Sequence, residues 1–355
     1  MNNFKKQQIA SIVIKVLLKR FETFPIDASN NRNAPFHEAF LHAFQEKFDD
    51  RVSDLPLFIS LSSWLHGLNT TLGQTFFEKV AHILSQGEKR EYTSKKLGNL
   101  QIFQSQKDVI NQIMTNLSTS QTSPHLRNEV TAIYEISSGA LTNAIDFSAD
   151  VFIEDANSIL AIELKSVKPN SGEMKGEKQK ILEGKTALQR AFPNKQIDFY
   201  IGFPFDPTSP TPCDFDKTRF LNSIINMTKF FDPAETLIAS ELWDKLSGEE
   251  HTMEIILEII NAISTPTFMQ NFQFLQNSTN KNDPHYHEIL QAWYLFSEIE
   301  LVERDKEIQQ AIHNHRELQK IYHQNLFIDD EYNRNRANQL LHLFSPRDER
   351  LMTEN

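Results

Sequence analysis

Cysteine is all but absent from this sequence. Cys213 stands alone, so no intramolecular disulfide framework can form and a cysteine-ligated zinc site has no basis. That scarcity points to a reducing, cytoplasmic setting. No stretch reaches the roughly 18 uncharged apolar residues that suggest a membrane span. The N-terminus has basic residues ahead of Ile9–Leu18, as a signal peptide does, yet Lys15 interrupts the run and no small-residue cleavage site follows. Ile9, Ile12, Val13, Val16, Leu17 and Phe21 recur at helical spacing instead, predicting an amphipathic helix. Ten glycines and 14 prolines are too few for a low-complexity or collagen-like chain. A phosphate loop of the Gly-x4-Gly-Lys-Ser/Thr type is also missing, and Gly176-Glu177-Lys178 is only a superficial likeness, so nucleotide hydrolysis is not expected.

What remains is a core-forming composition, 39% hydrophobic and 23% charged over 355 residues. At roughly 150 residues per domain, such a length suggests two to three domains. The net charge of -11 argues superficially against a nucleic-acid partner, but its distribution matters more. Residues 161–200 hold 8 Lys and Arg against 5 Asp and Glu, whereas residues 201–355 hold 13 against 25. The central window is net basic and the C-terminal part strongly acidic. A solvated helix face would produce the same basic window, so charge alone decides nothing.

Organisation follows the apolar spacing. The first third reads as helical, with an aromatic stripe (Phe36, Phe40, Leu41, Phe44, Phe48) and a second helix carrying Leu72, Phe76, Phe77, Val80 and Leu84 up to Gly87. Both stripes read as core. Gly87-Glu88-Lys89-Arg90 reads as a basic turn without a role. The Ser/Thr/Gln stretch before Pro124 marks a boundary. A short helix over Leu126–Ile136 then precedes two apolar strands, Asp150–Ile153 and Ile159–Leu164. A polar loop over Ser166–Gly176, a helix over Glu177–Phe192 and a strand over Ile197–Phe205 follow. Strand, helix and strand in close succession predict a βαβ crossover with parallel outer strands. Beyond Lys229 the spacing is helical again over Leu237–Leu246, Met253–Ile263 and Glu288–His323. We therefore expect three regions: a helical N-terminal region over 1–120, an α/β core over 121–228 and an acidic helical region over 229–355.

Chemistry concentrates at the end of the second strand. A turn centred on Ala156-Asn157 pairs residues whose numbers add to 313, which sets Asp150 opposite Glu163. Alternation puts Lys165 on the face of Glu163, while Leu160, Ile162 and Leu164 take the other. Two carboxylates so close repel unless a positive group lies between them, and a divalent cation with oxygen ligands, Mg²⁺ near phosphates, fits. A surface hairpin whose Asp, Glu and Lys pair with one another is the competing reading of the bare triplet. Its place at the end of a strand apolar on both faces, where charge is costly without a purpose, and at the head of the basic window favours the cation. With a helix before and a βαβ after, the segment resembles the PD-(D/E)xK nuclease core, an α/β restriction-endonuclease-like mixed sheet flanked by N- and C-terminal helical regions.

A narrower likeness rests on more residues. Ser148-Ala149-Asp150-Val151-Phe152-Ile153 and Ala161-Ile162-Glu163-Leu164-Lys165, continuing through Lys168, Glu173, Lys175, Glu177 and Lys178 to Lys185, resemble the TdeIII family of type II restriction endonucleases. Gln74–Ser85 and Gly87-Glu88-Lys89-Arg90 are similar to that family too. Ala149 stands where the superfamily's nominal proline would be. The resemblance implies Mg²⁺-dependent cleavage of double-stranded DNA at a short palindrome of the GGNCC type, leaving 5′-phosphates and 3′-hydroxyls. Asp150, Glu163 and the Leu164 main-chain carbonyl would hold the metal, with Lys165 beside the attacking water or the scissile phosphate. Glu129 is a further candidate ligand, with a solvated helix glutamate as its alternative, and Asp146 is another candidate. The lysines from Lys168 to Lys185, namely Lys168, Lys175, Lys178, Lys180 and Lys185, are candidate DNA phosphate contacts, without base-reading content. A cognate DNA methyltransferase is the implied functional partner.

Cutting both strands of a palindrome is done most simply by two sites related by two-fold symmetry, so a homodimer is expected. The acidic C-terminal part is a poor DNA-wrapping surface and is expected to serve assembly or to shape the cleft. His313-Asn314-His315 spells HNH but falls within a predicted continuous helix, and His285 with His287 adds a second pair; solvated histidines are the expectation. Two rival functions share the same core: a structure-specific repair or recombination nuclease, and a non-catalytic DNA-binding protein.

Overall fold

A computed structural model of the chain describes residues 1–27, 35, 39, 41, 54–165 and 173–344. The stripe residues Phe36, Phe40, Phe44 and Phe48, and also Lys168, lie outside the described residues. The chain folds as two units, one of Phe77–Ile255 with Met1, the other of Asn2–Phe76 with Ile256–Asn355.

The strands of the first unit are β1 (Glu88–Tyr92), β2 (Gln101–Phe103), β3 (Leu141–Asn143), β4 (Phe147–Glu154), β5 (Ser158–Leu164), β6 (Gln196–Phe203) and β7 (Thr236–Ile238). Five of them form one mixed sheet in the order β1-β4-β5-β6-β7. β1, β4 and β5 pair antiparallel, whereas β5, β6 and β7 run parallel. The tight turn at 156–157 sets the β4–β5 register, with Val151 opposite Ile162 and Glu154 opposite Ile159. Ile159, Ala161 and Ile162 are fully buried, as expected of a central strand covered on both faces. β6 follows through the helix Glu173–Ala191, the crossover that parallel pairing requires.

That helix packs against the sheet at Gly184, where it presents no side chain. A Cβ there would come 3.0 Å from the Phe147 ring and 3.2 Å from the Phe199 ring. Lys178 fixes the same helix from another side: its ammonium, wholly buried, lies 2.5 Å from Glu129 Oε2 and 2.7 Å from both Glu235 oxygens. It thereby ties together the helix Leu126–Tyr134, the crossover helix and the turn Pro233–Glu235 leading into β7.

Several expectations need correction. The basic turn at Gly87–Arg90 is the start of an edge strand, β1. Leu237 belongs to β7 rather than to a helix; the helix Ser240–Ser247 begins only after Ala239, whose φ of +50° ends the strand. The crossover helix starts at Glu173, four residues before the expected Glu177. The expected continuous helix over Glu288–His323 is four pieces, Pro284–Ala292, Phe296–Glu303, Asp305–Ile312 and Arg316–Tyr322.

In the second unit, the amphipathic helix Asn3–Glu22 starts at Asn2, whose side chain accepts from Lys5 N, and buries Ile9, Val13 and Val16. It packs on C-terminal helices: Gln7 exchanges hydrogen bonds with Ser297, and Phe21 stacks on Phe268 at 5.6 Å. A hairpin of β8 (Phe327–Ile328) and β9 (Glu331–Tyr332) and a buried pair, Arg336 Nη1 to Glu298 Oε2 at 2.6 Å, complete it. No helix among the described residues is long and apolar enough to cross a membrane.

Candidate active site

β5 ends in Glu163-Leu164-Lys165. Lys165 N donates to the Gly202 carbonyl at 2.9 Å, which tethers the strand end to β6. Gly202 suits that close approach: a Cβ would come 2.9 Å from Ile162 Cγ2 and 3.1 Å from Leu164 Cδ2.

Asp150 reaches the same place through an irregularity that the sequence does not advertise. Between the Glu88–Phe152 and Arg90–Ala149 pairs, β1 advances two residues while β4 advances three, leaving an extra residue at Asp150-Val151. Such a bulge re-aims a side chain and interrupts the ladder locally. Asp150 Oδ2 accepts from Leu164 N at 3.0 Å, and Oδ1 accepts from Lys89 Nζ at 3.0 Å. The Asp150 carbonyl lies 2.6 Å from His82 Nε2; a carbonyl only accepts, so Nε2 carries the proton of that ring. Lys89 also reaches Glu78, 3.1 Å away, on the helix Phe77–Ser85.

Glu163 is 6% exposed. Its Oε1 accepts from Lys180 Nζ at 2.9 Å and from Lys165 Nζ at 3.2 Å, and its Oε2 from Ser148 Oγ at 3.3 Å. Lys165 also donates to Glu177 Oε1 at 3.0 Å and lies 3.4 Å from Glu173, while Lys180 reaches Glu177 Oε2 at 3.4 Å. Burial first, and then the Asp150 charge, push the Glu163 carboxyl above the usual glutamate range against the pull of both lysines. For Lys165 burial works against the ammonium, but Glu163 and Glu177 outweigh it and the pKa rises.

The residues suit a hard divalent cation. Asp150 and Glu163 converge closely enough to raise one pKa through the other's charge, and carboxylates outnumber lysines in the cluster they form with Glu78, Glu173, Glu177, Lys89, Lys165 and Lys180. No group of three or more His, Cys, Asp or Glu side chains among the described residues is arranged as a metal cage. Mg²⁺ does not require one: it is commonly held by one or two carboxylates together with waters and substrate phosphate oxygens.

Asp150, Glu163 and Lys165 are thus gathered at one strand end. Other candidates are placed elsewhere. Glu129 Oε1 accepts from His125 N at 3.0 Å, and its Oε2 forms the ion pair with Lys178. Lys178 is sealed between Glu129 and Glu235, where a DNA phosphate could reach it only by leaving two buried carboxylates unpaired. Lys185 is largely buried, and burial lowers its pKa. Lys175 is exposed, and Asp146 accepts from Asn99 Nδ2 at 2.5 Å. His313 follows the helix Asp305–Ile312 and lines a cavity of about 500 Å³ in the second unit with Lys281, Tyr322 and His323. His285 contacts Glu288 at 3.3 Å.

Sequence reasoning assigned no role to Lys89, Glu78, His82, Ser148 or Glu177, and took Lys180 only as one of the lysines between Lys168 and Lys185 that could meet DNA phosphates. Glu78, His82 and Lys89 fall in the second stretch of family likeness, a signal that was present. Glu173, Glu177 and Lys180 follow the i, i+4, i+7 spacing of one helix face, but nothing in the sequence says which face meets the strand end.

Comparison with known proteins shows the family of the chain as a whole. Residues 1–264 match the family described as type II restriction endonuclease, HinfI. The type II restriction enzyme MjaII of Methanocaldococcus jannaschii is 40% identical over 363 residues, covering 96% of each chain. No solved structure matches.

Proposed function

Because the chain belongs to the HinfI family of type II restriction endonucleases, and so is a site-specific deoxyribonuclease, we propose that it cleaves both DNA strands with Mg²⁺ at the Asp150/Glu163/Lys165 cluster. The observation that carries this reading is the convergence of those three side chains where β5 ends and β4 bulges. Asp150, Glu163 and the Leu164 carbonyl would hold the cation. When bound, it would supply Lewis-acid stabilisation of phosphate charge and a more acidic water.

The chain's own groups do the positioning. The Leu164 N–H orients Asp150, and Lys89 steadies its other oxygen. Lys165, kept as an ammonium by Glu163 and Glu177, places positive charge where the phosphate gains negative charge in the transition state. Hydrolysis joins the water oxygen to phosphorus and breaks the P–O3′ bond, and the departing oxygen takes a proton to become a 3′-hydroxyl beside a 5′-phosphate. The GGNCC-type palindrome implied by the TdeIII resemblance is the site we propose to test first. A homodimer accounts for double-strand cutting, and a DNA methyltransferase of the same specificity would protect the host.

Digestion of a sequenced plasmid with and without Mg²⁺, with the ends mapped, tests the reading. Discrete bands with 5′-phosphate ends are expected. Smears or junction-specific cuts would indicate a structure-specific nuclease, and intact plasmid under every condition a non-catalytic binder.

A further inference from the structure

Two lysines, not one, reach the carboxylate at the end of β5. Lys165 comes from the strand and Lys180 from the crossover helix, and both donate to the same atom, Glu163 Oε1, at 3.2 and 2.9 Å. Both also reach Glu177, each on its own oxygen, at 3.0 and 3.4 Å. The two carboxylates balance the two ammonium groups, yet both lysines converge on one oxygen of Glu163, which holds two like charges side by side at the end of the strand. We propose that Lys180 is a second catalytic lysine that contacts the scissile phosphodiester beside Lys165, and that Glu177 is a positioning residue holding the two ammonium groups apart and aimed at the strand end. The proposal rests on the nuclease reading above.

Three features support a substrate role over a purely structural one. First, access: the Lys180 side chain is 18% exposed and Lys165 14%, so both keep some contact with solvent, in contrast to Lys178 at 0% on the same helix. Second, donors: an ammonium has three N–H groups, and the bonds of Lys180 to Glu163 and Glu177 use two. Third, mounting: Gly184 seats the helix against Phe147 and Phe199 one turn beyond Lys180, so the ammonium is carried on a rigid element, as a precise site needs. A transition state with added charge on the phosphoryl oxygens is served by two cations in fixed positions, since preorganised charge is worth most where water is sparse.

The test uses the full-length protein and a duplex carrying the site mapped for the wild type. Single-turnover cleavage in Mg²⁺ is measured for Lys180→Gln, Lys180→Arg and Glu177→Gln, together with duplex affinity in Ca²⁺ as a function of salt. Lys180→Gln is expected to slow cleavage by about 100-fold and to flatten the slope of log affinity against log salt by about 0.9, the loss of one phosphate contact. Lys180→Arg should recover the salt slope and part of the rate. Glu177→Gln should slow cleavage by about tenfold while leaving the slope unchanged, because it acts through the lysines. Lys180→Gln cutting within about twofold of wild type would overturn the proposal. So would a slower variant with an unchanged salt slope, which is what a structural lysine would give. Wild-type protein that cuts no DNA would overturn the nuclease reading itself.

Discussion

Lys178 and Lys180 are two residues apart on one helix and so about 200° apart around it. Lys178 faces inward, with no exposed surface and two carboxylates closed over its ammonium. Lys180 faces the end of β5, part-exposed, sharing Glu163 with a second lysine. The two ion clusters use the same chemistry for different ends. Removing one partner of the closed cluster strands buried charge, a large stability loss. The open cluster keeps some solvent contact, and burial together with the nearby Asp150 charge raises the Glu163 pKa, the kind of perturbation that fits the proposed catalytic role.

The sharpest way to break this contrast is Glu163→Gln. Cleavage should fall by about a thousandfold or more, roughly 4 kcal/mol of transition-state stabilisation. The melting temperature should not drop, because burial and Asp150 both disfavour the charged form that the substitution removes. Single-turnover kinetics beside calorimetry on the same protein checks both halves, and a large fall in melting temperature would place Glu163 with the structural ions instead. Lys178→Met is the mirror case. Leaving Glu129 and Glu235 buried without their cation should cost about 3–5 kcal/mol, while the protein that remains folded cuts at a near-normal rate. Urea unfolding measures the first and rate per folded molecule the second; intact stability would show the closed cluster to be dispensable.

A smaller effect joins the two faces. Gly184→Val puts a branched side chain where a single Cβ already comes within 3.0 Å of Phe147. Overpacking of this kind costs about 1–3 kcal/mol. Pushing the helix off the sheet also withdraws Glu177 and Lys180 from Glu163, so cleavage should weaken beyond the loss of folded protein. Urea midpoints and single-turnover rates measured together would show whether the helix seat sets the site.

These residues also show what could be read in advance. The β4–β5 register, which sets Val151 opposite Ile162, follows from a two-residue turn between apolar strands, which is local information, and the βαβ crossover was legible from alternating periodicities. β1 and β7 were not. β1 is Glu-Lys-Arg-Glu-Tyr, a charged edge strand with no apolar alternation, and β7 is three residues long inside a run of helical spacing. The bulge at Asp150-Val151 exists only in the pairing of β4 with β1, residues some 60 apart in the chain. Lys178 and Lys180 look alike in sequence, and only the helix's rotation on the sheet distinguishes them. The packing of Asn3–Glu22 on C-terminal helices is likewise long-range, with Gln7 meeting Ser297 across 290 positions.

The smallest expected effect lies at the far end of the β4–β5 hairpin, where Glu154 pairs with Lys195 at 2.7 Å and Arg90 at 3.0 Å. The Lys195 hydrogen bond, opposed by desolvation and helped by Arg90, holds the Glu154 carboxyl below its usual range. A depressed carboxyl stabilises the fold above its unfolded value, near pH 4.3, and that contribution is lost as pH falls through the folded value. The pair is solvent-accessible, so Glu154→Gln should cost at most about 1 kcal/mol at pH 7. The difference from wild type should shrink as the pH approaches about 4 and as salt rises to about 1 M, where screening acts within about 3 Å. Lys178→Met should keep nearly its full cost in the same salt, since the ammonium it removes is wholly buried. Urea midpoints across the two titrations make the comparison; equal salt sensitivity for both variants would mean that the closed cluster is more hydrated than its burial indicates.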